Sequence, residues 1–197
     1  MPKSYLKFYQ IAGLFFLSFI IFIFVSPIGF FLWILALLSI LIIFRKKNIS
    51  FQETNKNNKD LAISPVSGVI NAVLDGVNHP LFGVDLIQVR ISCFPPYEFG
   101  LYGPSSGEVQ VAQKSAKGLN IGMVNLNSKI IGIEIIPVPN FVPPTYWISA
   151  GDKVSASARI GHLQWAGKIY LFLPAGSDVF VKKGQKLYGG ETAIASL

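Results

Sequence analysis

The stretch SPVSGVINAV, residues 64–73, joins a proline and a Ser-Gly turn to a strand-like run of alternating character. The same order returns as GPSSGEVQVA at 103–112. A second pair of similar segments is SAGDKVSASARIGHL at 149–163 and VKKGQKLYGGETAIA at 181–195. Short runs between turn residues are typical of strands joined by hairpins, and repeated segments indicate repeated units. The sequence therefore predicts an all-β, pseudo-symmetric domain of the barrel-sandwich type.

This β pattern begins at Leu61. From there to Leu197, short runs of Val, Ile, Phe and Tyr recur between Gly, Pro, Asn and Asp. We therefore assign residues 61–197 to the β domain. Residues 46–60, KKNISFQETNKNNKD, are polar and show no periodic apolar face. A segment of this composition is predicted to be a linker.

The N-terminal part is apolar, with no charged residue between Ile11 and Phe44. The run exceeds the apolar core of a signal peptide, about 7–15 residues, and has no small-residue cleavage site, so we expect it to stay in the mature protein. A bilayer-spanning helix needs about 20 residues, and Ser26-Pro27-Ile28-Gly29 divides this run into two shorter halves. We expect a helical hairpin over residues 1–45, either two tight transmembrane spans or a re-entrant pair. One long, kinked span is the alternative.

Charge helps to define the compartment. Lysines precede the apolar run and Arg45 follows it, so both ends are expected on the cytoplasmic side. The net charge of +7 suits a domain beside anionic phospholipid at the cell membrane. The lysines are scattered without an RNA-binding motif, so no nucleic-acid partner is expected. Cys93 is the single cysteine, which rules out an internal disulfide and favours a reducing compartment.

Metal and carrier chemistry find little support among the side chains. The only histidines are His79, predicted to be a loop residue before Pro80, and His162, predicted to be a partly buried strand residue. A catalytic zinc needs about three protein ligands, so no metal site is expected. Neither Lys168 nor the Lys182-Lys183 pair stands at the hairpin tip that a biotin or lipoate carrier requires.

Nearly all of the chain resembles the short, single-domain phosphatidylserine decarboxylases of bacteria and archaea. The resemblance includes the apolar hairpin ending in an arginine, and it rests on five quoted segments. These are SPVSGVI (64–70), VRISCFPPYEFGLYGPSSGEV (89–109), AGDKV (150–154), RIGHLQWAGKIYLFLP (159–174) and VKKGQKLYGGETAIA (181–195).

The resemblance implies a self-processing enzyme. In the family, the serine hydroxyl of a Gly-Ser pair attacks the preceding carbonyl to form an ester. Elimination from that ester converts the serine into an N-terminal pyruvoyl group, which takes up electrons during loss of CO₂. The Gly-Ser pair falls on Ala166 and Gly167 in this chain. Glycine has no hydroxyl, so self-cleavage and a pyruvoyl cofactor are not expected there.

Other family residues are also replaced. The Asp-x-His pair that works with the serine falls on Tyr97 and Phe99, and we expect Glu98 between them to face away because side chains alternate along a strand. Ser67 stands where the family has aspartate, and NFVPPTYW at 140–147 replaces a pair of arginines. The resemblance therefore predicts a catalytically inactive member, a pseudoenzyme.

Two hypotheses about function remain. In the first, the former substrate cleft binds a phospholipid or docks a protein partner or a second copy of the chain, through Phe99, Tyr102, Trp147, Trp165 and Lys168. In the second, the protein is an active decarboxylase, converting phosphatidylserine to phosphatidylethanolamine, whose self-cleavage site has moved to Gly176-Ser177. The Pro-Ala-Gly-Ser-Asp sequence there is also typical of an ordinary turn, which is the interpretation we favour.

Overall fold

The computed structural model of the protein describes residues 13–20, 27–43, 61–116 and 118–197. The chain divides into two compact units, Met1–Asn48 and Ile49–Leu197. The first unit contains helix α1 over residues 13–20 and helix α2 over Pro27–Ile43. Pro27 begins α2, a position where its missing N–H leaves no helical hydrogen bond unmade.

The predicted membrane hairpin finds no support in these two helices. Neither described helix has both the length and the apolar character that crossing a bilayer requires. The basic flanks of the apolar run and the predicted 46–60 linker lie outside the described residues.

The described residues of the second unit form strands and connecting turns, so the predicted β character of residues 61–197 is confirmed for the described part of that range. Its strands are β1 (Leu61–Ile63), β2 (Gly68–His79), β3 (Gly83–Cys93), β4 (Gly100–Tyr102), β5 (Gly107–Ser115), β6 (Gly118–Asn125), β7 (Ile130–Val138), β8 (Thr145–Tyr146), β9 (Lys153–Val154), β10 (Arg159–His162), β11 (Ala166–Leu173), β12 (Asp178–Val179), β13 (Lys186–Leu187) and β14 (Ala193–Ser196).

The two halves of the main sheet have equivalent arrangements of strands. That sheet has the order β13-β2-β3-β11-β7-β6-β5-β9, and two smaller sheets have the orders β1-β14-β12 and β4-β10-β8. Each half of the main sheet runs from a two-residue edge strand through a hairpin to a central strand, and all pairs are antiparallel. A pseudo-twofold axis therefore lies between β11 and β7. The sheet is open, with β13 and β9 at its edges, whereas a closed barrel would join them.

Hydrogen bonds between loops repeat across this axis. The Tyr102 N–H donates to the Pro65 carbonyl at 2.9 Å, and the Ile63 N–H donates to the Pro104 carbonyl at 2.7 Å. Each bond links one repeated Pro-containing turn to the strand before the other. The internal similarity between 64–73 and 103–112 therefore reflects two structurally equivalent halves that hold each other.

The turns inside the repeats are equivalent as well. Ser67 Oγ accepts a hydrogen bond from the Gly189 N–H at 2.9 Å, and Ser106 Oγ accepts one from the Ala156 N–H at 2.9 Å. Ser67, where the family resemblance implies an aspartate, thus satisfies a backbone donor in the turn that follows β13.

The central strands supply the core, and their inward side chains are fully buried. They include Val89, Ile91, Ile121, Met123, Ile131, Ile133, Ile135, Ile169 and Leu171. Phe82, from the β2–β3 turn, lies over Gly132 so closely that a Cβ at Gly132 would overlap its ring. His79 ends β2 and stacks on Phe82, with ring centroids 4.2 Å apart. The expectation that His79 is a loop residue is therefore wrong.

Candidate functional site

Gly167 lies inside the main sheet, at the second position of β11. It pairs with Cys93 on β3 and with Pro137 on β7. Its φ is not in the left-handed region, so the backbone is compatible with a side chain. A Cβ there would lie 3.2 Å from the Ile136 carbonyl oxygen and 3.3 Å from the Leu163 methyl groups. The position has room for a small side chain after a shift of a few tenths of an ångström.

The structure brings the two implied halves of the family site together at Leu163. The Leu163 N–H donates to the Phe99 carbonyl at 2.7 Å, and the Leu163 side chain reaches the Cβ position of Gly167. Phe99 and Gly167 therefore flank the same leucine, although they are far apart in sequence. Sequence reasoning did not single out Leu163, because an apolar residue at the end of a strand carries no distinguishing signal.

Glu98 is placed differently from the sequence-based expectation. The segment between β3 and β4 forms a turn and irregular backbone, so the alternation of strand side chains does not apply to it. Glu98 Oε1 accepts a hydrogen bond from the Tyr102 hydroxyl at 2.7 Å. The inference that Glu98 faces away because it lies in a strand is therefore wrong. Its carboxylate is held by a residue of β4.

Cys93, the single cysteine, is the register partner of Gly167 on the neighbouring strand β3. It is fully buried, and its thiol donates to the Glu98 carbonyl at 3.6 Å. Burial raises the pKa of Cys93 to about 12, and the negative charge of Glu98 adds to this effect. Since the thiolate is the reactive form of cysteine, Cys93 is not positioned to replace the absent serine as a nucleophile.

The aromatic residues predicted to line one cleft divide into two groups. Phe99 and Tyr102 are 1% and 3% exposed, so they belong to the core and do not line an open cleft. Trp147 and Trp165 are 56% and 53% exposed. Lys168 is also exposed, on β11.

Trp147 belongs to a small polar and aromatic cluster on the β4-β10-β8 sheet. The guanidinium carbon of Arg159 lies 5.6 Å from the centre of the Trp147 ring, and the His162 ring centroid lies 5.8 Å from it. This arrangement is a cation–π contact. His162 is partly buried in β10, as its sequence context predicts. Sequence reasoning missed Arg159, because the strand pairing that places it beside Trp147 was not visible.

Gly176-Ser177, the alternative cleavage pair, lies in a tight turn. Gly176 has φ of 80°, and the Ser177 N–H donates to the Pro174 carbonyl at 3.3 Å. These features match a type II turn. The Ser177 hydroxyl also donates to the Pro174 carbonyl, at 2.8 Å, and the turn borders a cleft of about 390 Å³ that also contains Asp75 and Asp85.

Comparisons with known proteins identify relatives of the chain. No family model matches it. It is 28% identical over 163 residues to the phosphatidylserine decarboxylase proenzyme of Wolbachia pipientis, an alignment that covers 72% of this chain and 70% of that protein. It is 27% identical over 165 residues to the proenzyme of Saccharopolyspora erythraea, covering 74% and 70%.

One solved structure, glucose permease IIA from Mycoplasma capricolum, has a TM-score of 0.47 and 18% sequence identity, and covers 72% of this chain and 96% of that chain. A likeness at this level carries no argument about function. These sequence relatives match 72% and 74% of this chain and carry one name. These similarities support the phosphatidylserine decarboxylase family as the one that the chain resembles.

Proposed function

We propose that this protein is a non-catalytic phosphatidylserine decarboxylase homologue that binds phospholipid at the cytoplasmic face of the cell membrane. One observation carries the proposal: the position implied for the self-cleaving serine is Gly167. Its backbone pairs with a strand on each side within the main sheet, but glycine lacks the hydroxyl group that the self-cleavage reaction requires.

The residues around Gly167 do not fit a pyruvoyl cofactor. That group derives from a serine whose own hydroxyl attacks the preceding peptide carbonyl, whereas the bond here joins Ala166 to Gly167. The partners implied for such a serine are replaced by Tyr97 and by the buried, apolar Phe99. Neither side chain has the imidazole or carboxylate needed to accept the serine proton.

The mass of the purified protein tests this proposal. We expect one uncut chain of 21.6 kDa that does not react with carbonyl reagents. The rival, an active decarboxylase cut at Gly176-Ser177, is favoured by the position of Ser177 beside a cleft with two aspartates. Two fragments, one with a blocked N-terminus, would overturn our proposal. Ser177→Ala is the matched control, since it should abolish such a cut and leave an uncut protein unchanged.

Membrane attachment through residues 1–45 is a second component of the proposal. It is supported by the uncharged Ile11–Phe44 run and by the basic residues on both sides of it. Reporters fused to either end of the chain should both be cytoplasmic. Reporters on opposite sides of the membrane would contradict the hairpin and favour the single kinked span.

The bound molecule can be identified by purification in a mild detergent, followed by analysis of co-purifying lipids and proteins. Stoichiometric phospholipid supports the proposal. A stoichiometric protein partner, or a dimer without bound lipid, would replace phospholipid as the ligand.

A further inference from the structure

We propose that four exposed aromatic side chains form the surface through which the β domain inserts into an anionic bilayer. We call this surface the aromatic rim, and it consists of Phe94, Phe141, Trp147 and Trp165. The inference rests on the proposed function and deepens it, because it names which part of the β domain meets the phospholipid.

Strand register places three of these residues beside the same end of the main sheet. Phe94 directly follows Cys93, which pairs with Gly167, and Trp165 directly precedes the strand that contains Gly167. Neighbouring strands are about 4.8 Å apart, so Phe94 and Trp165 leave the sheet next to each other. Phe141 lies just beyond the end of β7, the strand on the other side of β11.

Trp147 joins this group through the adjoining small sheet. It directly follows β8, which pairs with the His162 end of β10. The Gln164 side chain, next to Trp165, donates to the Thr145 hydroxyl of β8 at 2.7 Å. The chain segments that carry Trp147 and Trp165 are therefore tied together.

The four side chains of the aromatic rim are large, apolar and exposed. Phe141 is 80% exposed, Trp147 56%, Trp165 53% and Phe94 40%. Exposed apolar groups clustered in one region indicate an interaction surface. Tryptophan is especially suited to the bilayer interface, because its ring is apolar and its indole N–H is polar.

Positive charge accompanies the aromatic rings. Arg159 lies over Trp147, and the exposed Lys168 is three residues from Trp165 on the same segment. Cations close to a bilayer surface are attracted by its anionic headgroups. This pairing of rings with cations is complementary to an anionic lipid surface.

The shape of the surface also favours a bilayer. The clefts of about 390 Å³ and 420 Å³ are lined by other segments, which include Ser177 and Asn125. The cavity lined in part by residues between Pro137 and Tyr146 is smaller, at about 120 Å³. The rim residues instead lie on turns and strand ends. Separate projecting rings can enter a fluid interface to a depth of about 5–10 Å without a complementary shape. A stable protein partner would need about 800 Å² of matching surface on this side.

The pseudo-twofold axis supplies a matched control position. The Phe180 N–H donates to the Ile194 carbonyl at 2.9 Å, and the Trp147 N–H donates to the Ile160 carbonyl at 3.0 Å. Phe180 is thus the structural equivalent of Trp147, and it is 49% exposed. Because the axis relates two antiparallel central strands, it exchanges the two ends of the main sheet. Phe180 therefore reports on the end opposite the rim.

The test uses full-length protein in vesicles that contain phosphatidylglycerol and lipids brominated on the upper acyl chain. Three variants each keep one tryptophan, in a Trp33→Phe background. The first keeps Trp147, the second keeps Trp165, and the third replaces both by phenylalanine and carries Phe180→Trp. We expect bromine to reduce the emission of the first two by about twofold, as for rings at the acyl boundary, and to leave the third unchanged.

Each other pattern of quenching overturns the proposal. If none of the three is quenched, or only Phe180→Trp is, the rim does not face the bilayer. Equal quenching of all three means that no particular end of the domain inserts. If Trp147 and Trp165 become shielded from iodide only as the protein concentration rises, without bromine quenching, the rim contacts a second copy.

The failure of this inference can be distinguished from failure of the proposed function. An uncut chain whose rim tryptophans are not quenched would overturn the rim alone. A chain that cuts itself but whose rim tryptophans are quenched would overturn the non-catalytic proposal and retain the rim.

Discussion

Gly167 is the residue at which the proposed loss of the family reaction can be tested most directly. Its φ is compatible with a side chain, and the Ile136 carbonyl oxygen and the Leu163 methyl groups must each move by a few tenths of an ångström. Gly167→Ser alone should therefore fold, but should stay uncut, because Phe99 offers no base for the new hydroxyl.

Restoring the complete set of family residues should restore some self-cleavage. The variant combines Ala166→Gly, Gly167→Ser, Tyr97→Asp and Phe99→His. Loss of the buried Phe99 ring costs about 3–5 kcal/mol, so we expect partial cutting of the folded fraction. Mass spectrometry should show a break before position 167.

The matched control is the triple variant that keeps Gly167 and should not be cut at all. If the quadruple variant has native-like circular dichroism and also stays uncut, the alignment of WAGK with the scissile segment is wrong or the absent arginines are essential.

At the residue scale, the resemblance assigned positions to a site, but it did not predict how deeply each side chain is buried. The resemblance paired Phe99 with Gly167, and both positions meet at Leu163. Exposure depends on which strands cover a residue, and this information is not local. That is why Phe99 and Tyr102 were expected to line a cleft, although the rest of the domain covers them.

At the scale of elements, the β2–β3 turn acts as a cover for the main sheet. Phe82 lies in that turn, is 3% exposed and packs against Phe172 and Leu86. Its ring also fills the space above Gly132, where β6 and β7 pair closely through two glycines. The turn is therefore attached to strands from the other half of the sheet.

A double-mutant cycle tests this contact. Phe82→Ala should lower the free energy of unfolding by about 3–5 kcal/mol through the cavity it leaves. Gly132→Ala alone should also destabilise the protein, because its methyl group overlaps the Phe82 ring. In the Phe82→Ala background the same methyl group should cost little or even stabilise. Additive losses in urea unfolding would show that the two residues are not coupled.

Elements were predicted well where local pattern determines them and poorly where it does not. The Ser-Gly turns and alternating runs correctly indicated repeated strands and their equivalence. The segment around Glu98 was interpreted as a strand, yet two consecutive prolines lie just before it and the backbone turns there. Proline provides no N–H for a strand ladder, so it was the available signal for this correction.

At the scale of the whole molecule, substitutions of Ser67 and Ser106 test whether the two equivalent turns contribute equally to stability. Ser67→Ala should cost about 1–3 kcal/mol, because it leaves the Gly189 N–H without its acceptor in a buried turn. Ser106→Ala is the symmetry-related change, with a smaller expected loss because Ser106 is only partly buried.

The two serine sites share no partner, so the double variant should lose the sum of both values within about 0.5 kcal/mol. Chemical denaturation of the three variants measures each loss. Equal or reversed effects of Ser67→Ala and Ser106→Ala would contradict the assigned difference in burial.

The pairing of β1 with β14 has a practical consequence for engineering. Leu61 is the register partner of Ser196, and directly opposed residues in antiparallel strands have Cα atoms about 4.5–5.5 Å apart. The first and last strands of the β fold therefore bring its two ends next to each other. A few added residues could join these ends, and new ends could be opened at the turn between Asn125 and Ser128. The same geometry would let the β fold be inserted as a cassette into a surface loop of another protein.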